Sequence, residues 1–74
     1  MTLEEAKNLL AGQTIYCTSE KNADGTPQRW RVTGMVKTWK TRPNEVRVPV
    51  KRGLYQYGYV TEANIHLLSL SEES

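Results

Sequence analysis

Phenylalanine is missing from this 74-residue chain, which holds one cysteine, Cys17, and one histidine, His66. A lone cysteine excludes an intramolecular disulfide, and one Cys with one His cannot build a metal site, so neither metal nor cofactor is expected. No apolar run approaches the ~18–20 residues that a membrane-spanning helix needs. The opening Met1-Thr2-Leu3-Glu4-Glu5 is acidic where a secretory leader is basic, and a reducing, cytoplasmic setting is expected. A chain of this length hides only about 60% of its unfolded surface, which leaves little room for a deep catalytic cleft. There is no Gly-rich phosphate loop, nucleophile elbow or carboxylate pair set in apolar sequence. His66, in a closing strand beside Leu67 and Leu68, reads as an edge or partly buried histidine rather than a positioned acid–base. The expectation is a single domain over residues 1–74 that is not an enzyme.

Basic residues are also absent from residues 53–74, which carry three glutamates, and residues 1–28 hold two bases against four acids. The middle is different. Residues 29–52 carry eight bases against Glu45 alone, a net of +7 in a chain whose whole formal charge is +2. The stretch 28–59 also holds both tryptophans and three of the four tyrosines. Such asymmetry points to an anionic partner for the middle of the chain, unless these charges are the solvated faces of ordinary strands.

Thr2-Leu3-Glu4-Glu5 fits a capping box, with Leu3, Ala6, Leu9 and Leu10 as an apolar stripe and Gly12 where a left-handed C-cap belongs. This predicts a helix over residues 3–11, too short to persist unless docked. Thr14 to Thr18 alternates as a strand with Ile15 and Cys17 inward and Thr14, Tyr16 and Thr18 outward, and Cys17 reads as a small hydrophobe. Residues 20–27 form a polar loop around Asp24-Gly25. Gln28 to Thr41 reads as one long strand bent at Gly34, a bulge, bend or close backbone approach. Trp30, Val32 and Val36 would face the core. A hairpin turn is expected at Thr41-Arg42-Pro43-Asn44. Val46, Val48 and Val50 then alternate inward, with Pro49 marking an edge strand or a break in pairing. After a turn at Arg52-Gly53, residues 54–60 form a strand with its tyrosines on one face. Thr61 to Asn64 reads as one capped turn, Ile65 to Leu70 as the closing strand, and residues 71–74 as a disordered tail.

One short helix followed by five strands over residues 13–70, with a helical turn before the last, predicts a mainly β fold (α+β by strict count). This order of elements resembles that of SH3-like barrels, strongly bent antiparallel sheets with a single helical turn before the final strand. The segments GMVKTWK, VPVKRGLY and YVTEANIHLL also resemble those of small uncharacterised proteins of phages and other mobile elements. An OB-like barrel is the alternative.

The outward positions form the candidate site. Arg29, Arg31, Lys37 and Trp39 share one face of the long strand, Arg47 and Lys51 share the outer face of the next, and Lys37, Lys40 and Arg42 flank Trp39. Cations neutralise phosphates while aromatics stack on unpaired bases, so this set predicts binding of single-stranded nucleic acid or its backbone. Trp39 serves either as a stacking residue or as a strand-end cover for the rim of the fold. Tyr55, Tyr57 and Tyr59 form either an exposed aromatic platform or an internal replacement for the missing phenylalanines. The alternative partner is an acidic protein surface, met by an adaptor or inhibitor of a host protein, or a second copy paired through an edge strand.

Overall fold

In the computed structural model of the protein, which describes residues 1–71, Thr2 and Glu5 close the capping box that opens α1 (Leu3–Lys7). The Glu5 amide donates to Thr2 Oγ1 at 3.1 Å, and the Thr2 amide donates to Glu5 Oε1 at 2.8 Å. The helix ends at Lys7 rather than running to residue 11, for a local reason. Asn8 turns its side-chain amide back to the Glu4 carbonyl at 2.9 Å and its backbone N–H to Glu5, so the ladder stops one turn after it starts. Gly12 does take a positive φ of 90°, but in a separate turn where its amide donates to Val32, and Leu10, expected in the stripe, is 72% exposed.

Six strands follow: β1 (Thr14–Lys21), β2 (Pro27–Val32), β3 (Lys37–Trp39), β4 (Arg42–Arg52), β5 (Gln56–Thr61) and β6 (Leu68–Ser69). They form one open antiparallel sheet in which β4 pairs β5 along one edge and both β3 and β2 along the other, with β1 and then β6 beyond β2. The expected long strand is therefore two strands. It breaks over residues 33–36, where the Thr33 amide donates to the Pro49 carbonyl at 2.9 Å. Pro49 lies at the gap between β2 and β3, so its missing N–H removes no ladder bond. Gly34 passes close to Pro49 there, where a Cβ would lie 3.2 Å from Pro49 Cγ.

The hairpin turn is Lys40-Thr41, not Thr41 to Asn44, since Trp39 pairs with Arg42. Residues 43–45 of β4 bulge out of register instead, and the Pro43 carbonyl accepts from the Lys7 ammonium at 2.5 Å, tying α1 to the bulge. The strand of residues 54–60 begins two residues late. Arg52 pairs with Gln56, which leaves Gly53 (φ 66°), Leu54 and Tyr55 as a three-residue loop. The closing strand is also shorter: Ile65–Leu67 form a 3-10 turn and only Leu68–Ser69 pair with β1. Thr61 ends β5 and caps the expected turn, its carbonyl accepting from the Asn64 amide at 3.0 Å and its hydroxyl from the Ala63 amide at 3.3 Å, while the helical turn follows at Ile65–Leu67 with His66 exposed in it. The Ser71 amide donates to Ser69 Oγ at 3.2 Å; the rest of the predicted tail lies outside the described residues.

The core is aliphatic and small. Ile15, Val32, Val46, Val48 and Val60 are fully buried, and Ala6, Leu9 and Val50 join them. Each of the buried valine, leucine and isoleucine side chains contributes about 1.5–3 kcal/mol by leaving water. Trp30, Val36 and Leu68 pack around this cluster partly buried, so the aromatic contribution is a border rather than a centre. The Met1 ammonium donates to the Ile65 and Leu68 carbonyls at 3.2 and 2.5 Å, which holds the two termini of the described chain together. An apolar cleft of about 240 Å³ lies between β5 and the 3-10 turn, with Cys17, Trp30 and Leu68 among its lining residues. Cys17 is half-buried there, and its Sγ lies 3.3 Å from Ser19 Oγ.

Candidate functional site

Directly paired residues in an antiparallel sheet point to the same face, so the register alone assembles the outer surface. Lys37 stands opposite Arg47, Arg31 opposite Lys51, and Arg29 opposite Tyr16. On the other edge of β4, Lys51 is paired with Tyr57 and Pro49 with Tyr59. Arg29, Arg31, Lys37, Arg47 and Lys51 thus share a face with Tyr57 and Tyr59, opposite the face that buries Val46, Val48 and Val50. Adjacent strands are about 4.8 Å apart, so this is a continuous layer rather than scattered charges.

Aromatic rings bind the layer together. The guanidinium of Arg42 lies 4.8 Å from the Trp39 ring centroid, Lys37 Nζ 5.8 Å and the Arg47 guanidinium 5.9 Å. Arg47 also lies 5.5 Å from the Tyr59 ring, and Lys51 Nζ 5.4 Å from Tyr57. These separations fall within cation–π range, and the rings set the positions of long side chains that would otherwise sample many rotamers. Trp39 is half-buried, yet it is not among the side chains packed on the core. Three cations lie over its ring, so within the layer it organises their side chains. Tyr57 and Tyr59, each with one cation over its ring, are 70% and 58% exposed. Tyr55 leaves the row because it stands in the β4–β5 loop, 88% exposed.

Two members of the predicted set behave differently. Lys40 stands at the exposed hairpin tip beyond the layer. Arg42 stacks on Trp39 but is also held by Glu45 at 3.0 Å, the one ion pair among the described residues. Glu45 is the single acid of the basic stretch, so the remaining cations of the face have no carboxylate partner among the described residues. Tyr16 and Thr14 belong to the same face, a placement implied by the Thr14, Tyr16, Thr18 alternation. Arg52, the eighth base of the stretch, serves the scaffold. Its guanidinium donates to Gln56 Oε1 at 2.8 Å and to Asn22 Oδ1 at 3.4 Å, joining the β4–β5 hairpin to the β1–β2 loop.

That loop is built by Asp24, whose carboxylate accepts from the Thr26 hydroxyl at 2.6 Å and the Thr26 amide at 3.0 Å. These bonds hold the Asp24 carboxyl below its ordinary value, with the Arg29 charge as the least of the causes. Among the described residues no group of three or more His, Cys, Asp and Glu side chains could hold a metal ion, and no helix is long and apolar enough to cross a membrane. Comparison of the chain with protein-family models, curated proteins and solved structures yields no match.

Proposed function

We propose that the protein is a small non-enzymatic module that binds single-stranded nucleic acid on the outer face of β3, β4, β5 and β2. One observation carries the reading. The sheet sets like charges directly opposite each other twice, Lys37 against Arg47 and Arg31 against Lys51, beside exposed Tyr57 and Tyr59. Like charges in directly opposed positions destabilise a sheet. A phosphate backbone laid over them relieves that repulsion, and the tyrosine faces offer stacking to unpaired bases regardless of sequence. A duplex shows no base faces for such stacking, which favours the single strand.

The test is fluorescence anisotropy with labelled single-stranded oligonucleotides over a range of salt. The expected log–log slope is roughly −0.7 for each phosphate neutralised. Binding that ignores salt, or no binding at low salt, overturns the proposal.

A fold of the SH3-like kind, with the OB-like barrel as its alternative, fits this use. Support comes from β2 and β3 sharing one edge of β4 across the Gly34 break, and from the 3-10 turn before β6. The second reading keeps the surface and changes the partner: an acidic face of a host protein, as for the adaptors and inhibitors of phages and mobile elements. The row of unneutralised cations supports it equally, while the exposed tyrosines favour bases. Competition separates the two, because an excess of single-stranded oligonucleotide displaces a protein partner only if the surface is shared.

A further inference from the structure

At the Lys51 end of the same face the surface hollows into a concavity of about 510 Å³. Thr14, Arg29, Arg31 and Lys51 line it, and Gly53 and Leu54 of the β4–β5 loop contribute its end wall. Resting on the nucleic-acid reading above, we infer that this hollow is a subsite for the phosphorylated end of a single strand.

The register explains why three cations meet there. Thr14 is paired with Arg31, and Arg31 with Lys51, so a hydroxyl, a guanidinium and an ammonium form a row across β1, β2 and β4. Arg29 stands two residues along β2 on the same face. No carboxylate lines the hollow, and none of its cations is in an ion pair among the described residues. Guanidinium groups present paired N–H donors that match phosphate oxygens, and the Lys51 ammonium adds a compact charge.

The charge excess selects the kind of phosphate. An internal phosphodiester carries one negative charge, whereas a terminal phosphomonoester carries about −1.5 to −2 at neutral pH because its second pKa lies near 6. Three cations in a hollow lined by no carboxylate match the second better than the first. The geometry agrees. Arg47 and Lys51 are four residues apart on β4, roughly 13 Å at the rise of an extended strand, so a backbone leaving Arg47 reaches the hollow after a short run past Tyr59 and Tyr57. Beyond Lys51 the chain turns into the Gly53–Tyr55 loop, with Gly53 in a left-handed conformation (φ 66°) and Leu54 73% exposed. A strand following the tyrosines meets this loop as an end stop, and its last group lies among Arg29, Arg31 and Lys51.

The experiment compares one single-stranded sequence in three forms, with a 5′-phosphate, with a 3′-phosphate and with hydroxyls at both ends, each carrying an internal fluorophore. One phosphorylated form is expected to bind about tenfold tighter than the hydroxyl form, which corresponds to about 1.4 kcal/mol. Arg31→Gln and Lys51→Gln should each weaken the phosphorylated form more than the hydroxyl form and so remove the tenfold ratio between them, whereas Tyr59→Ala should weaken all three forms alike and keep that ratio. Two separate variants keep the test intact if one fails to fold. Equal affinity of the three forms overturns the end subsite and leaves the proposed function standing. No binding of any form at low salt overturns both. A free nucleoside monophosphate that competes as well as the phosphorylated oligonucleotide makes the hollow a mononucleotide site and overturns the strand-end assignment.

Discussion

Lys37 and Arg47 are direct cross-strand partners, and each holds its charge within 6 Å of the Trp39 ring centroid, at 5.8 and 5.9 Å. The ring offsets part of a repulsion that the ladder imposes, but a carboxylate in place of one cation would reverse it. Lys37→Glu should therefore stabilise the domain by about 0.2–1 kcal/mol, the range for cross-strand pairs, and weaken oligonucleotide binding severalfold. Urea denaturation and anisotropy on the same preparation check both halves. A variant that loses stability and keeps its binding would contradict the role given to this pair.

The two kinds of aromatic residue should separate in the same assays. Tyr59→Ala removes a ring that is 58% exposed and has one cation, Arg47, over it, so stability should fall by no more than about 0.5–1 kcal/mol while binding loses about 1–3 kcal/mol, the range for one stacked base. Trp39→Ala frees Lys37, Arg42 and Arg47 together. Each cation–π contact contributes about 0.5–1 kcal/mol at an exposed site, so this variant should lose both stability and affinity. Equal stability losses for the two substitutions would remove the distinction between organiser and platform.

Much of this arrangement could be read from residue order, because period-two alternation is a strong signal wherever one face is buried. Val46, Val48 and Val50 had to share a face, which sent Arg47 and Lys51 to the other, and the register confirmed both placements. The capping box was legible because it is local. What escaped depended on competition between local and distant partners. Asn8 ends the helix through a side-chain bond that the apolar stripe does not encode. Pro43 looked like a turn residue, yet the Arg42–Trp39 contact draws the turn back to Lys40-Thr41 and leaves Pro43 in a bulge. Tyr55 continued the tyrosine alternation but lies in the loop that Arg52–Gln56 pairing closes.

Gly34 offers a direct test of the strand break. A Cβ at this position would lie 3.2 Å from Pro49 Cγ, a contact that a small shift of the ring can relieve. Gly34→Ala should therefore be mild, while Gly34→Val adds two methyl groups at the same approach and should cost about 1–3 kcal/mol, the usual range for overpacking. Thermal or urea unfolding of the pair checks this, and equal effects would mean that backbone freedom rather than Pro49 explains the glycine.

Acid should weaken the fold through two identified carboxyls. Glu5 is held below its ordinary value first by the Thr2 backbone N–H and then by the Thr2 hydroxyl, and Asp24 by the hydroxyl and amide of Thr26. A carboxyl whose folded pKa is depressed contributes stability above its unfolded pKa and loses it as pH falls through the folded one. The melting temperature should thus be insensitive to these groups near neutrality and fall below the ordinary carboxylate range. Glu5→Gln keeps an acceptor for the Thr2 amide without titrating, so its melting temperature should drop less than that of the natural chain between about pH 6 and pH 3. Identical acid profiles would exclude a contribution from Glu5.

The outer edge of β5 supplies the last test. Pro49 turns its carbonyl to Thr33, away from β5, so the Pro49–Tyr59 pair is not hydrogen-bonded and the Tyr59 carbonyl points to the free edge. There the Asn64 carboxamide donates to the Tyr59 carbonyl at 3.0 Å and accepts from the Thr61 amide at 2.8 Å. One side chain thus takes the place of a neighbouring strand and covers part of an edge that would otherwise pair with a second copy. Asn64→Leu removes both bonds, for a loss of about 0.5–1.5 kcal/mol each, and exposes the backbone groups. Unfolding should show the lost stability, and sedimentation should show concentration-dependent association stronger than that of the natural chain. Asn64→Asp keeps the acceptor for Thr61 but sets a carboxylate against the Tyr59 carbonyl, so it should lose stability without gaining association, because the negative charge repels a copy of itself at a twofold contact. A destabilised Asn64→Leu protein that stays monomeric at every concentration would confine Asn64 to holding the turn before the 3-10 helix.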